Sequence, residues 1–208
     1  MYKLLTIIMG KGKGKRILEK MDKSLYDEAF ILEGTGSSSG GVLYLLELYD
    51  IKKDILCIIA RDENVDRIYS CLVEEYKIGR ENKGIAFDID IKSSKDGFTL
   101  KDSKEGKFKY DAIFTKVQQG QSDKVILAAE RVGSLGATVI SEEETKHESI
   151  NPILDLIVEP KSETVLVISP NNKTDVIVES IKEDFDFADS KKAKLFVKGV
   201  NRVEGLRS

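Results

Sequence analysis

The chain has 208 residues, 41% hydrophobic and 33% charged, with a net charge of −3 and no tryptophan. That length holds one large domain or two small ones, and the slight acidity argues against the broad basic face of a nucleic-acid binder. Two cysteines, Cys57 and Cys71, are too few for a disulfide scaffold, and no run reaches the ~18–20 apolar residues of a membrane span. The apolar stretch at Met1–Leu5 is too short for a signal peptide, so a cytoplasmic protein without membrane insertion is expected.

In chain order, Tyr2–Met9 is apolar, ends in glycines and reads as a strand. Lys15–Leu25 carries Ile17, Leu18, Met21 and Leu25 at helical spacing. Glu28–Glu33 is a short strand that stops at Gly34–Gly41, a loop by its glycine, serine and threonine composition. Ile55–Ala60 is an unbroken apolar strand. A second helix over Asn64–Tyr76 places Val65, Ile68, Leu72 and Tyr76 on one stripe, with Asn64 as its N-cap. Ile85–Ile91 alternates and closes the set as a strand.

The same order then repeats as Ala112–Val117, Lys124–Val132, Ala137–Ser141, Val165–Ser169, Thr174–Phe185 and Lys194–Val200. A shift of 109 residues (196 − 87) lays Phe87 on Phe196, and also Thr6 on Thr115, Ile17 on Ile126, Ile31 on Ile140 and Ile68 on Ile177. So long a repeat is one folding unit duplicated. Lys92–Lys109, polar and lysine-rich, reads as the connection, while Val42–Tyr49 and Pro152–Val158 each suit a short helix or an extra strand.

Strand–helix–strand–strand–helix–strand is the order of a ferredoxin-like unit, with both helices on one face of an antiparallel sheet. Ile55–Ala60 and Val165–Ile168 are apolar at every position, so both faces of those strands expect burial. The uncovered faces must meet across subunits or within one chain, and association is expected, most simply three chains.

Three segments invite a ligand. The run Gly10–Lys15 lacks the spacing of a phosphate-binding loop and suits a solvated turn or an anion contact. In Gly34–Gly41 the residues Gly34, Thr35, Gly36 and Ser37 offer unobstructed amides and hydroxyls, suiting an anion nest or a disordered connection. Lys83 and Gly84, with Lys192 and Lys194 in the second copy, stand just before each last strand, where they suit a phosphate contact or a solvated turn. His147, the single histidine, sits in a charged stretch without metal-ligand spacing, and no catalytic signature is present.

Four stretches are similar to the P-II nitrogen-regulatory family: Lys124–Ile140, Val158–Val167, Gly84–Phe87 with Ala193–Val197, and Val200–Leu206. The resemblance implies a non-enzymatic sensor that forms trimers, binds an adenine nucleotide between neighbouring domains and controls a partner protein. The family's phosphate-binding lysine corresponds to Ile85 in the first copy and to Lys194 in the second, and its paired arginines have only Arg202 and Arg207 nearby. The expectation is therefore an α+β chain of two tandem ferredoxin-like domains, residues 1–94 and 107–208, joined by a linker over 95–106. It would require no cofactor, bind a small anionic effector such as ATP or ADP through the residues above, and form a homo-oligomer. A P-II-like scaffold protein that has lost its ligand is the alternative.

Overall fold

The computed structural model describes residues 1–38, 51–94, 97–101, 108–141, 157, 161–188 and 193–206. The first copy comprises β1 (Tyr2–Gly10), α1 (Lys13–Lys20), β2 (Glu28–Ser38), β3 (Ile51–Arg61), α2 (Asp62–Glu74) and β4 (Ile85–Ser94). A short strand, β5 (Gly97–Leu100), falls inside the stretch read as linker and pairs with β4. The second copy comprises β6 (Tyr110–Gln118), α3 (Ser122–Arg131), β7 (Gly136–Ser141), β8 (Ser162–Pro170), α4 (Asn171–Asp184) and β9 (Ala193–Val200), and β10 (Arg202–Glu204) follows. Asn64 lies within α2, whose N-cap is Arg61. Val42–Tyr49 lies outside the described residues, as does Pro152–Val158 apart from buried Ile157.

The tandem arrangement of two ferredoxin-like domains with sheets of their own is corrected by the strand pairing. The described residues form one ten-stranded antiparallel sheet, in the order β10-β4-β1-β3-β2-β7-β8-β6-β9 with β5 beside β4. Two junctions make it one. The edge strands β2 and β7 pair from Gly34 opposite Ile140 to Ser38 opposite Gly136. At the other end, the chain leaves β9, turns at Asn201 and pairs as β10 with β4, Val203 standing opposite Phe87. The sheet therefore curls until β4 and β9 approach each other.

Curling explains why strands apolar on both faces are buried on both. On β1, Leu5, Ile7 and Met9 face α1 and α2, with Leu56, Ile58, Ile68 and Leu72. Ile113, Val117, Val165 and Val167 likewise face α3 and α4. The opposite faces of both copies share a single core, in which Leu4, Ile55, Cys57, Phe87 and Ile89 meet Ala112, Phe114, Leu166 and Val200. Phe114 stacks on Phe196 at 4.8 Å, and Tyr2 meets Phe98 edge-on at 5.0 Å. Burial pushes the Cys57 thiol up to about 12, as expected of a thiol that packs as a small apolar side chain. Of the two arrangements open to the uncovered faces, the intrachain one is observed.

Strand pairing also refines the repeat. Thr6 stands opposite Cys57 and Phe87, and Phe114 stands opposite Leu166 and Phe196. The counterpart of Thr6 is thus Phe114 rather than Thr115, one residue less than the shift that relates Phe87 to Phe196. A one-residue slip turns a strand's side chains to the opposite face. Thr115 accordingly lies on the helix side of β6, in line with Ile113 and Val117. The 109-residue register holds over β3, α2 and β4, and fails over β1, α1 and β2.

The Gly34–Ser37 segment, expected as a loop, is strand. Its reading as a loop rested on composition, but tertiary pairing on both sides overrides the low strand preference of glycine. Gly34 is the tightest point: a Cβ there would lie 2.4 Å from the Val139 carbonyl oxygen and 2.6 Å from Ile55 Cδ1. Gly34→Ala is expected to cost about 1–3 kcal/mol by overpacking the seam between the copies. Urea unfolding reads this as a lower midpoint at unchanged slope, and an unchanged midpoint would remove Gly34 from the seam's packing.

Candidate functional site

The end of the first copy formed by the close of β1 and the opening of β3 concentrates amino groups. Gly12, left-handed at φ 82°, ends the turn after β1 and releases Lys13 into α1. The turn is tied down by Lys11 N–H donating to the Lys52 carbonyl at 3.3 Å and by Gly14 N–H donating to the Asp54 carboxylate at 2.9 Å. Lys11 pairs with Glu33 at 2.8 Å, and Lys15 is 3.9 Å from Glu19. Lys13 and Lys53 differ: among the described residues neither has a carboxylate within 4.0 Å. Half-buried Lys53 is held below its ordinary pKa first by burial and then by the charge of Lys13. Gly36 makes room for it, since a Cβ there would lie 2.8 Å from Lys53 Cε.

A second polar group closes the sheet on the helix side. Lys3 on β1 meets Asp90 at 2.5 Å, Asp62 at 3.7 Å and Asp88 at 3.8 Å. Tyr69 of α2 donates to Asp88 at 3.0 Å, and Asn201 donates to both Asp88 and Asp90 at 3.0 Å. Arg202 lies over the Tyr69 ring at 4.1 Å and pairs with Glu204 at 3.0 Å. Asp88 is 1% exposed. Burial raises its pKa against the opposing hydrogen bonds of Tyr69 and Asn201 and the charge of Lys3. For Asp90 burial pushes up, but the hydrogen bonds from Lys3 and Asn201 prevail and hold it low. With Asp88 buried and bonded by both Tyr69 and Asn201, this network is a clasp that fixes β10 to β4.

The first-copy residues singled out in the sequence gather at one end of the sheet. Gly34–Ser37 closes β2 there, and Lys83 and Gly84 lead into β4. The close approach that Gly84 permits is used by the protein itself. A Cβ on Gly84 would lie 2.5 Å from the Ile8 carbonyl oxygen, and one on Gly205 would lie 2.3 Å from the Gly84 oxygen. Lys194 stands in β9 opposite Lys116. Antiparallel pairing of β2 with β7 puts that end of the second copy at the opposite end of the strands, so Lys194 does not join the first-copy group. Lys192 and His147 lie outside the described residues. Lys53, and the clasp residues Lys3, Tyr69, Asp88 and Asn201, were not singled out. Their signal was charge at alternate positions of otherwise apolar strands, as in Asp88 and Asp90 of β4.

Among the described residues no group of His, Cys, Asp or Glu could hold a metal ion, and no helix is long and apolar enough to cross a membrane. A shallow cleft of about 350 Å³ lies between Met1–Tyr2 and Arg61–Glu63.

No family model and no curated protein matches the chain. Three solved structures illustrate its structural likenesses. A presumed monooxygenase of Fusobacterium nucleatum aligns over 98% of this chain and 94% of its own at 10% identity and a TM-score of 0.31. Another from Lactobacillus acidophilus covers 98% and 95% at 10% identity and 0.28. A chlorite dismutase of Candidatus Nitrospira defluvii covers 97% and 91% at 7% identity and 0.28. Such low scores assign no activity to this chain. The expectation of a non-enzymatic nitrogen-regulatory protein, with its scaffold alternative, is corrected by the geometry: the copies share one core instead of presenting separate sheets to other subunits, and Gly84 is packed against Ile8 and Gly205.

Asp88 supplies a pH test of the clasp. A carboxyl whose folded pKa is raised above its unfolded value of ~3.9 makes folding less favourable as pH rises through the interval between the two. Asp88→Asn removes that titration, so the variant should gain on the wild type from about pH 4 upward. Denaturation midpoints of both proteins across this range measure it, and a difference independent of pH would contradict the raised value.

Proposed function

We propose that this chain binds a small anionic molecule, a phosphate or carboxylate, at the Lys13–Lys53 end of the first copy. The observation that supports it most is Lys53: a half-buried ammonium group, depressed in pKa, beside a second lysine and without a carboxylate partner among the described residues. Two close like charges repel, and an anion between them turns that repulsion into attraction. Lysine suits this task as a flexible point charge with three donors. The open space around Gly12 leaves the backbone unobstructed beside Lys13. The four stretches that resemble the P-II family support a kinship of the two copies with it, without its sensor role. Two unpaired thiols, Cys57 and Cys71, favour a cytoplasmic setting.

Binding should restore Lys53 toward its ordinary pKa. A lysine with a depressed value in the free protein takes up a proton when its partner binds, so affinity is lost as pH rises through the alkaline range. Calorimetric titration of the full chain with inorganic pyrophosphate is the test. Lys53→Gln is expected to weaken binding by about 1–3 kcal/mol, the scale of a charge-assisted hydrogen bond. Absence of binding by the wild type would reject the reading.

A further inference from the structure

The two copies differ at the equivalent ends of their folds. The observed register makes Gly12 and Gly120 counterparts, both left-handed at φ 82° and 84°, and so pairs Lys13 with Gln121. Lys53 opposite Gly10 corresponds to Ser162 opposite Gln118, and Asp54 opposite Met9 corresponds to Glu163 opposite Val117. Both ammonium groups of the first copy are thus replaced by uncharged side chains in the second.

The carboxylates differ too. Asp54 accepts from the amide of Gly14 at 2.9 Å. Glu163, one methylene longer, accepts from two amides of its turn, Gly120 at 3.1 Å and Ser122 at 3.2 Å. An extra methylene lets one carboxylate oxygen sit where it serves both donors. The second copy therefore holds its turn carboxylate across two amides and has no lysine at the positions of Lys13 and Lys53.

We infer that the duplicated chain keeps one anion site, at Lys13 and Lys53, and that its second-copy equivalent is closed twice over, by the replacement of both lysines and by Glu163. The inference rests on the anion-binding reading above. It gives the two copies separate roles: the first binds, and the second completes the curled sheet.

Calorimetry of the full chain with inorganic pyrophosphate tests it through stoichiometry and two variants. One pyrophosphate per chain is expected. Asp54→Glu, which gives the first copy the longer carboxylate of the second, is expected to lower affinity by about tenfold or more, the weight of one charge-assisted hydrogen bond. Glu163→Gln is expected to leave stoichiometry and affinity as in the wild type. Two pyrophosphates per chain, or wild-type affinity in Asp54→Glu, would overturn this inference and leave the anion-binding reading standing. A wild type that binds none would overturn both.

Discussion

Every strand of this protein has two faces, and helices cover only one. That constraint decides the architecture. A sheet whose uncovered face carries Leu4, Ile55, Phe87, Phe114 and Leu166 cannot leave it in water, since each large apolar side chain contributes roughly 1.5–3 kcal/mol when buried. Duplication supplies the solution within a single chain: the second copy presents an equally apolar face, and the sheet curls to bring the two together. Pairing of β2 with β7 forms the hinge line of that curl, and pairing of β10 with β4 fixes the opposite edge.

The two junctions are built differently. At the β2–β7 seam backbone meets backbone, and the sequence provides glycine where a side chain would strike the facing carbonyl. At the β10–β4 junction charged side chains do the joining. A lysine, two aspartates, a tyrosine and an asparagine satisfy one another under α2, with an arginine stacked on the tyrosine ring. Buried charge is costly unless every member is paired, and such a network contributes more to the uniqueness of an arrangement than to its free energy. Here it selects where the tail of the second copy docks. The docked tail then passes Gly79 and Gly84, so the clasp and the lysine-bearing end share the loop between α2 and β4.

Helices and strands were legible where their periodicity is strong. The apolar stripe of Ile68 and Leu72 and the alternation of Ile85–Ile91 are local signals, and both elements stand within a few residues of their expected limits. Burial of Ile55–Ala60 on both faces was legible as well, because a continuous apolar run states it directly. Three features were not. The strand over Gly34–Ser38 depends on a partner about 100 residues away, and its composition speaks for a loop. The one-residue difference in repeat register is invisible to apolar matching, since neighbouring positions such as Ile113, Phe114 and Ile7, Ile8 are apolar whichever face they occupy. The lysine pair was half legible: Lys13 lies in a run that stands out by composition, whereas Lys53 acquires its meaning from the fold that brings it beside Lys13. Motif resemblance carried the functional expectation further than the geometry allows, because short shared motifs say nothing of how two copies pack.

The central claim is that both copies form one cooperative structure through a shared core and two junctions on opposite edges of the first copy. Hydrogen–deuterium exchange across a urea series, read separately on peptides from the first and second copies, tests it most directly. The account predicts that amides of β3 and β8 become exposed together, with the β2 and β7 amides protected up to the same transition. Loss of protection throughout one copy while the other keeps its own would contradict it.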